Sequence, residues 1–338
     1  MKRSILFLLT IGLFLQIIYA IPPQLYVDLG DFSVFSGEKI QDCRIGYRTI
    51  GTPNADSSNV ILYPTWFGGT SEHIWRLINI HNFLDSTRYY IIVADALGNG
   101  VSTSPSNSIA QPGQVFPEIR IIDMARSAHA LLKHLNIDHL HAIVGGSMGS
   151  MQGFEFIAEY PDMVNKAILY VSSPRESAYD LLKRQADLEI IALGRKYGIP
   201  EAEYMKPIRI SQAVNGKTPS YFALEMSHTD VPEYLESFNS YTPGIFPADN
   251  YFCHSQAIHY HDISWRDKND LDKTAERITA DVFIIINKQD HMVSPHPALE
   301  FAKKIHAKIL VLNNNRGHLG ISYEIDKVRK AMARFLKN

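Results

Sequence analysis

Three residue types set far apart in this chain could together move an acyl group: Ser147, Asp290 and His318. A serine hydroxyl is a weak nucleophile until a base takes its proton, and that base works best when an acid fixes its tautomer. Ser147 stands in Gly145-Gly146-Ser147-Met148-Gly149, which fits G-x-S-x-G. The apolar run Ala142-Ile143-Val144 precedes it, and a helical pattern over 152–160, closed by Pro161, follows. In a strand-to-helix turn this tight the neighbouring side chains must nearly vanish, and the serine hydroxyl stands clear above the sheet. The plain alternative is a glycine-rich turn that holds a phosphate on backbone N–H groups.

The acid and base follow in the order serine, carboxylate, histidine. "VFIIINKQDHMVSP" offers Asp290 just past a late apolar run, where a turn-capping aspartate is the other reading. "NNNRGHLGI" offers His318, with Gly317 and Gly320 beside it and a helical pattern after it. His291 and His296 compete for the role, but they follow the acid's strand too closely to reach back over a sheet. The oxyanion of an acyl-transfer intermediate needs backbone donors. The residue after the nucleophile, Met148, is one, and the loop "TWFGGT" offers Trp66 as the other, with Phe67 as fallback donor and substrate contact. His254, His259 and His261 form a cluster whose H-x-H could bind zinc, but no carboxylate or cysteine set with metal spacing surrounds it. No metal site and no cofactor are expected.

Positioning these groups requires a sheet. Alternation near 44–49 suggests antiparallel opening strands, and apolar runs at 59–64, 89–94, 141–144, 167–171, 282–286 and 310–312 suit short buried strands. Helical patterns at 121–135, 296–305 and 323–336 alternate with them, so the spacing predicts a doubly wound, mostly parallel α/β sheet. From 173 to 279 the pattern is helical and irregular. An insertion at the carboxyl ends of the strands would form a cap over the site. The core is therefore expected over 21–172 and 280–338.

Lys2-Arg3, an apolar run over 5–18 and Ala20 make a secretory leader, expected over 1–20 with cleavage after Ala20. A retained membrane anchor is the alternative, although the run is slightly short for one. The roughly 320 residues that follow suffice for one large domain. The net charge is −2, and losing Lys2 and Arg3 takes it to −4, which gives no reason to expect nucleic acid. Cys43 and Cys253 are expected to be independent buried thiols rather than a disulfide.

The sequence resembles the homoserine O-acetyltransferase family of α/β-hydrolase-fold proteins from about Phe35 onward. "SGEKIQDCRIGYRTIGTPNADSSNVIL" is similar to that family's opening strands, "FPEIRIIDMARSAHALLKHLNI" to its helix before the nucleophile strand, and "GGSMGSMQGFE" to its elbow. The resemblance implies an α/β-hydrolase fold with an inserted helical cap and the same three catalytic residues. "LLKRQA" is similar to a substrate-contacting segment, which implies Arg184 as a partner for a substrate carboxylate; an exposed helix charge is the alternative. Two departures stand out. The family usually has aspartate directly after the catalytic histidine, where this chain has Leu319. A segment that usually carries arginine and aspartate reads "SQAIH", with Gln256 and His259 in their places. These changes remove charges that a zwitterionic acceptor would want. The expectation is a secreted or periplasmic serine enzyme that hydrolyses a small acyl ester. Transfer of acetyl from acetyl-CoA, then a co-substrate, to homoserine or a similar hydroxyl is the alternative, and a non-catalytic ligand-binding protein is the rival from another class. The partners expected are a small acyl substrate, no nucleic acid and no membrane after leader cleavage, with a homodimer allowed.

Overall fold

Apolar runs without polar alternates must be covered on both faces. The computed structural model, which describes residues 20–240, 242 and 244–337, covers them so. The expected leader, save Ala20, lies outside these residues. Strands β1 (Leu25–Ser33) and β2 (Lys39–Ile50) form an antiparallel pair. β3 (Val60–Pro64), β4 (Tyr90–Ala94), β5 (Leu140–Gly146), β6 (Val164–Tyr170), β7 (Asp281–Asn287) and β8 (Lys308–Leu312) follow. They make one sheet in the order β1-β2-β4-β3-β5-β6-β7-β8, antiparallel up to β4 and parallel beyond it.

Helices α1 (Ser71–His81), α2 (Ile121–His134) and α3 (Met148–Glu159) lie between the first parallel strands. From β6 to β7 the chain passes through α4 (Ala178–Lys196), α5 (Glu201–Asn215), α6 (Pro219–Glu225), α7 (Val231–Glu236), α8 (Ala248–His259) and α9 (Leu271–Arg277). α10 (His296–Lys304) joins β7 to β8, and α11 (Gly320–Tyr323) and α12 (Ile325–Lys337) close the chain.

Side chains leave each strand on alternate faces. Leu62, Ile92, Ile143 and Leu169 pack with Leu131 of α2 and Phe154 of α3 on one face. Ile61, Ile91, Val144 and Ile168 pack with Ile78 of α1 and Met332 of α12 on the other. Each such fully buried Ile or Leu contributes about 1.5–3 kcal/mol. The chain winds from β3 outward to β4, then crosses back to β5 on the other side of β3. The carboxyl ends of β3 and β5 therefore flank a crevice at the reversal of strand order, where ligands of open α/β sheets bind.

Within the insertion, α4, α5 and α8 share a small core of Ile191, Met205, Ile208, Ala248 and Tyr251. The last part is different: Ile263 is buried in the main core, and Leu271 and Ala275 of α9 pack against it.

Two helices depart from the sequence pattern. α3 begins at Met148, not at 152, because glycine is the only residue that fits there. A Cβ on Gly149 would fall 2.4 Å from the Pro64 carbonyl oxygen, so close packing overrides glycine's poor helix propensity. The closing helix is split at Glu324, whose carboxylate accepts the Asn314 amide at 2.7 Å. Cys43 and Cys253 are free and buried. No helix among the described residues is long and apolar enough to cross a membrane.

Candidate active site

β5 delivers its last residues to a turn that only small side chains permit. A Cβ on Gly146 would sit 2.1 Å from the Tyr170 ring. Ser147 takes φ 52° and ψ −127°, a backbone conformation that costs a non-glycine residue on the order of 1–3 kcal/mol. The surroundings fix it there. The Ser147 N–H donates to the Tyr170 carbonyl at 2.9 Å. The Ser150 hydroxyl donates to the Gly145 carbonyl and accepts the Tyr170 N–H at 2.8 Å.

The three separated residues meet. His318 Nε2 lies 3.0 Å from Ser147 Oγ, and His318 Nδ1 lies 2.7 Å from Asp290 Oδ2. Asp290 and His318 are buried. The other oxygen, Asp290 Oδ1, accepts the N–H groups of Met292 at 2.8 Å and Val293 at 3.0 Å. A carboxylate so held is oriented as an acceptor toward the imidazole. His318, rather than His291 or His296, reaches the serine.

The loop after β3 lies beside the start of α3. The Gln152 amide donates to the Thr65 carbonyl at 2.9 Å, and the Ala96 N–H donates to Thr65 Oγ1 at 3.0 Å. Among the described residues, the N–H groups of Trp66 and Met148 have no hydrogen-bond acceptor. Unpaired donors beside a serine are the raw material of an oxyanion site.

A cavity of about 380 Å³ opens over Ser147. Trp66, Leu77, Val171, Ile321 and Leu319 give it apolar walls, and Phe67 lines it too. Arg184 is the one permanently charged side chain among the described residues lining it. That arginine is buried, not an exposed helix charge, and its guanidinium lies 3.5 Å from Glu176. Burial pushes the Glu176 carboxyl up to about 7, against the opposing pull of Arg184. Arg184 Nε and Glu176 Oε1 have no partner among the described residues.

Gln256 does not face this cavity. It lines a separate cleft with Phe252 and Cys253, and its amide donates to Glu118 at 3.2 Å. His259 keeps Nδ1 unpartnered among the described residues, and burial with Arg184 nearby lowers its pKa. No group of three or more His, Cys, Asp or Glu residues able to hold a metal gathers among the described residues.

Sequence reasoning missed the groups that brace the site. Asn287, fully buried, donates to the carbonyls of Gly317 at 2.7 Å and Asn314 at 3.1 Å, tying β7 to the histidine loop. An asparagine ending the run "IIIN" was the available signal. From α4, Lys183 donates to the His291 carbonyl and, at 2.8 Å, to the Met292 carbonyl, while Asp180 accepts the Ser294 N–H at 3.0 Å. The Thr218 hydroxyl donates to the Asn315 carbonyl at 2.8 Å. The insertion thus grips both the acid loop and the histidine loop.

The family model described as alpha/beta hydrolase fold matches residues 59–324. An ethyl acetate hydrolase of Pseudomonas veronii is 28% identical over 87% of this chain and 89% of its own length. A homoserine O-acetyltransferase of Methanosalsum zhilinae is 27% identical over 90% of this chain and 70% of its own. The solved structure of an acetylester hydrolase from Corynebacterium glutamicum superposes with a TM-score of 0.84 at 25% identity, covering 94% of this chain and 96% of that one.

Proposed function

The chain belongs to the alpha/beta hydrolase fold family and performs serine-type acyl chemistry, and from that premise we propose that it hydrolyses a small, uncharged acyl ester. Ser147 Oγ attacks the ester carbonyl as His318 Nε2 takes its proton, and Asp290 holds the Nδ1–H of the resulting imidazolium. The N–H groups of Met148 and Trp66 receive the oxyanion. The tetrahedral intermediate collapses, the alcohol leaves with the proton from His318, and an acyl-enzyme remains. Water, deprotonated by the same histidine, then releases the carboxylic acid and restores the serine.

One observation carries hydrolysis over transfer. Arg184, the single permanent charge among the described residues lining the cavity, already faces Glu176 at 3.5 Å, and an exposed Leu319 stands beside His318. A zwitterionic acceptor finds neither an unopposed cation for its carboxylate nor, with leucine at position 319, an anion there for its ammonium. A cavity of about 380 Å³ with apolar walls suits a short acyl chain and a short alcohol. Similarity to both hydrolases and transferases supports the shared acyl-enzyme step. Transfer to a hydroxyl amino acid is the second reading, carried by the 27% identical acetyltransferase.

The test uses purified protein with ethyl acetate and p-nitrophenyl esters of increasing chain length, and separately acetyl-CoA with and without L-homoserine. Ester cleavage indifferent to homoserine and absent in Ser147→Ala is expected. Homoserine-dependent CoA release much faster than any ester cleavage overturns hydrolysis. Turnover that survives Ser147→Ala overturns the acyl-enzyme, and no turnover with any substrate favours a binding protein. Export belongs to the same proposal: Lys2-Arg3, the apolar run and Ala20 support it. N-terminal sequencing of protein recovered outside the cytoplasm should begin near Ile21, and an uncleaved cytosolic chain counts against it.

A further inference from the structure

The sheet holds the loop after β3 through the Thr65 N–H, which donates to the Ala94 carbonyl at 3.1 Å, and α8 of the insertion holds it as well. Residues 66–69 form a β-turn closed by the Gly69 N–H donating to the Trp66 carbonyl at 2.8 Å. Gly68, at its third position, has φ +62°, the left-handed backbone that a type II turn demands. The peptide joining Phe67 to Gly68 is the middle peptide of the turn. Rotating it by half a circle exchanges type II for type I while the flanking peptides stay nearly in place, so its orientation is set by what its N–H meets. Its N–H is not free. It donates to His254 Nδ1 at 3.3 Å, and His254 Nε2 lies 2.9 Å from the Leu97 carbonyl oxygen.

Both partners fix the tautomer. A backbone N–H can only donate, so Nδ1 carries the lone pair; a carbonyl can only accept, so Nε2 carries the proton. The ring is fully buried, and burial lowers its pKa to about 4, which keeps it neutral under working conditions. The side chain of the same turn is gripped as well. The Phe67 ring meets Tyr251 edge-on at 4.9 Å, and Phe246 and His254 at 5.5 Å each. Asp187 of α4 accepts the Tyr251 hydroxyl at 2.8 Å and the Gln212 amide at 2.7 Å, locking α8 to α4 and α5.

We propose that His254 is a positioning residue for the oxyanion loop. By accepting the Gly68 N–H and packing against the Phe67 ring, it anchors the turn whose first residue, Trp66, presents its own N–H to the substrate oxygen. The oxyanion site is thereby complete only while the insertion is seated on the sheet. The assignment rests on the serine acyl chemistry proposed above.

The experiment compares His254→Phe, His254→Asn and His254→Gln with p-nitrophenyl acetate, and reads kcat, KM and the rate of fluorophosphonate labelling. The phenylalanine keeps the packing and removes both hydrogen bonds. It is expected to lower kcat and labelling by about 10- to 100-fold with KM changed less than about twofold, short of the ~10²–10³ lost with an oxyanion donor itself. The asparagine oxygen takes the place of Nδ1, and the glutamine nitrogen that of Nε2. Recovery of kcat in His254→Asn but not in His254→Gln is therefore expected. Equal behaviour of the two, or a loss borne by KM, overturns the proposal. Should a variant fail to fold, ¹⁵N-histidine NMR of the unaltered protein decides: a protonated Nδ1 on His254 overturns it, and an unprotonated Nδ1 bonded to Gly68 supports it. If Ser147→Ala retains activity the underlying chemistry fails. If Ser147→Ala is inactive and His254→Phe is unimpaired, only this inference fails.

Discussion

The side-chain amide of Asn287 and the backbone carbonyl of Gly317 meet at 2.7 Å, one residue before the histidine that faces Ser147. Asn287 is fully buried at the end of β7, and the acid Asp290 follows in the next turn. One side chain therefore ties the strand that delivers the acid to the loop that delivers the base. Replacing it with alanine leaves the buried Gly317 carbonyl without this donor, at about 1–3 kcal/mol, and the part-buried Asn314 carbonyl without it at a smaller cost. Asn287→Ala is expected to lower unfolding stability by a few kcal/mol and kcat by tens of fold, with a smaller change in KM. Urea unfolding and steady-state kinetics on one preparation check it, and wild-type kcat in the variant would sink the idea.

The Arg184–Glu176 pair makes substrate charge selection adjustable. Glu176→Gln removes the internal counter-ion and leaves a buried cation that seeks another anion. The ratio of kcat/KM for a half-ester of succinic acid to that for ethyl acetate is expected to rise about tenfold. Leu319→Asp places an anion beside His318 and is expected to raise the share of acetyl captured by homoserine from p-nitrophenyl acetate. Unchanged ratios in both variants would show that these residues do not set the charge preference of the cavity.

Acid should destabilise this fold partly through its buried histidines. Burial lowers His254 and His261 to about 4, from an ordinary value near 6.5. Below pH 6.5 the unfolded chain takes up protons that the folded chain refuses until about pH 4. Stability therefore falls as pH drops through that window, by roughly 3 kcal/mol per residue. Glu155 and Glu176, raised to about 7 by burial, act in the opposite sense: their contribution declines as pH rises from the ordinary carboxylate range toward 7. Subtracting one curve from another isolates the histidine. The unfolding free energy of His254→Asn, measured in half-unit steps, should have a slope smaller by about one proton between pH 4 and 6.5. Parallel curves would count against a neutral buried imidazole.

The sequence made the reacting groups legible because chemistry restricts both their type and their order. Ser147 is announced by its glycines, and the apolar runs of the parallel strands read directly from two-sided burial. The bracing groups were hidden for a physical reason. Lys183 acts on carbonyls more than a hundred residues away, and His254 on Gly68 across a still longer separation, so no local pattern records either. In the sequence His254 is distinguished only by its nearness to His259 and His261, a cluster without the partners that a metal needs. The start of α3 was obscured because Gly149 is chosen by what it touches, the Pro64 carbonyl, rather than by what it propagates.

The backbone of Ser147, at φ 52° and ψ −127°, sets stability against activity at a single position. Glycine takes such angles without penalty, so serine is not the most stable choice at the place where it is required. Only its use as the nucleophile favours serine there. A descendant released from that use would gain stability by drifting to glycine, a single change that also disarms it. Inactive copies of this fold should accumulate glycine at 147 sooner than they lose their sheet.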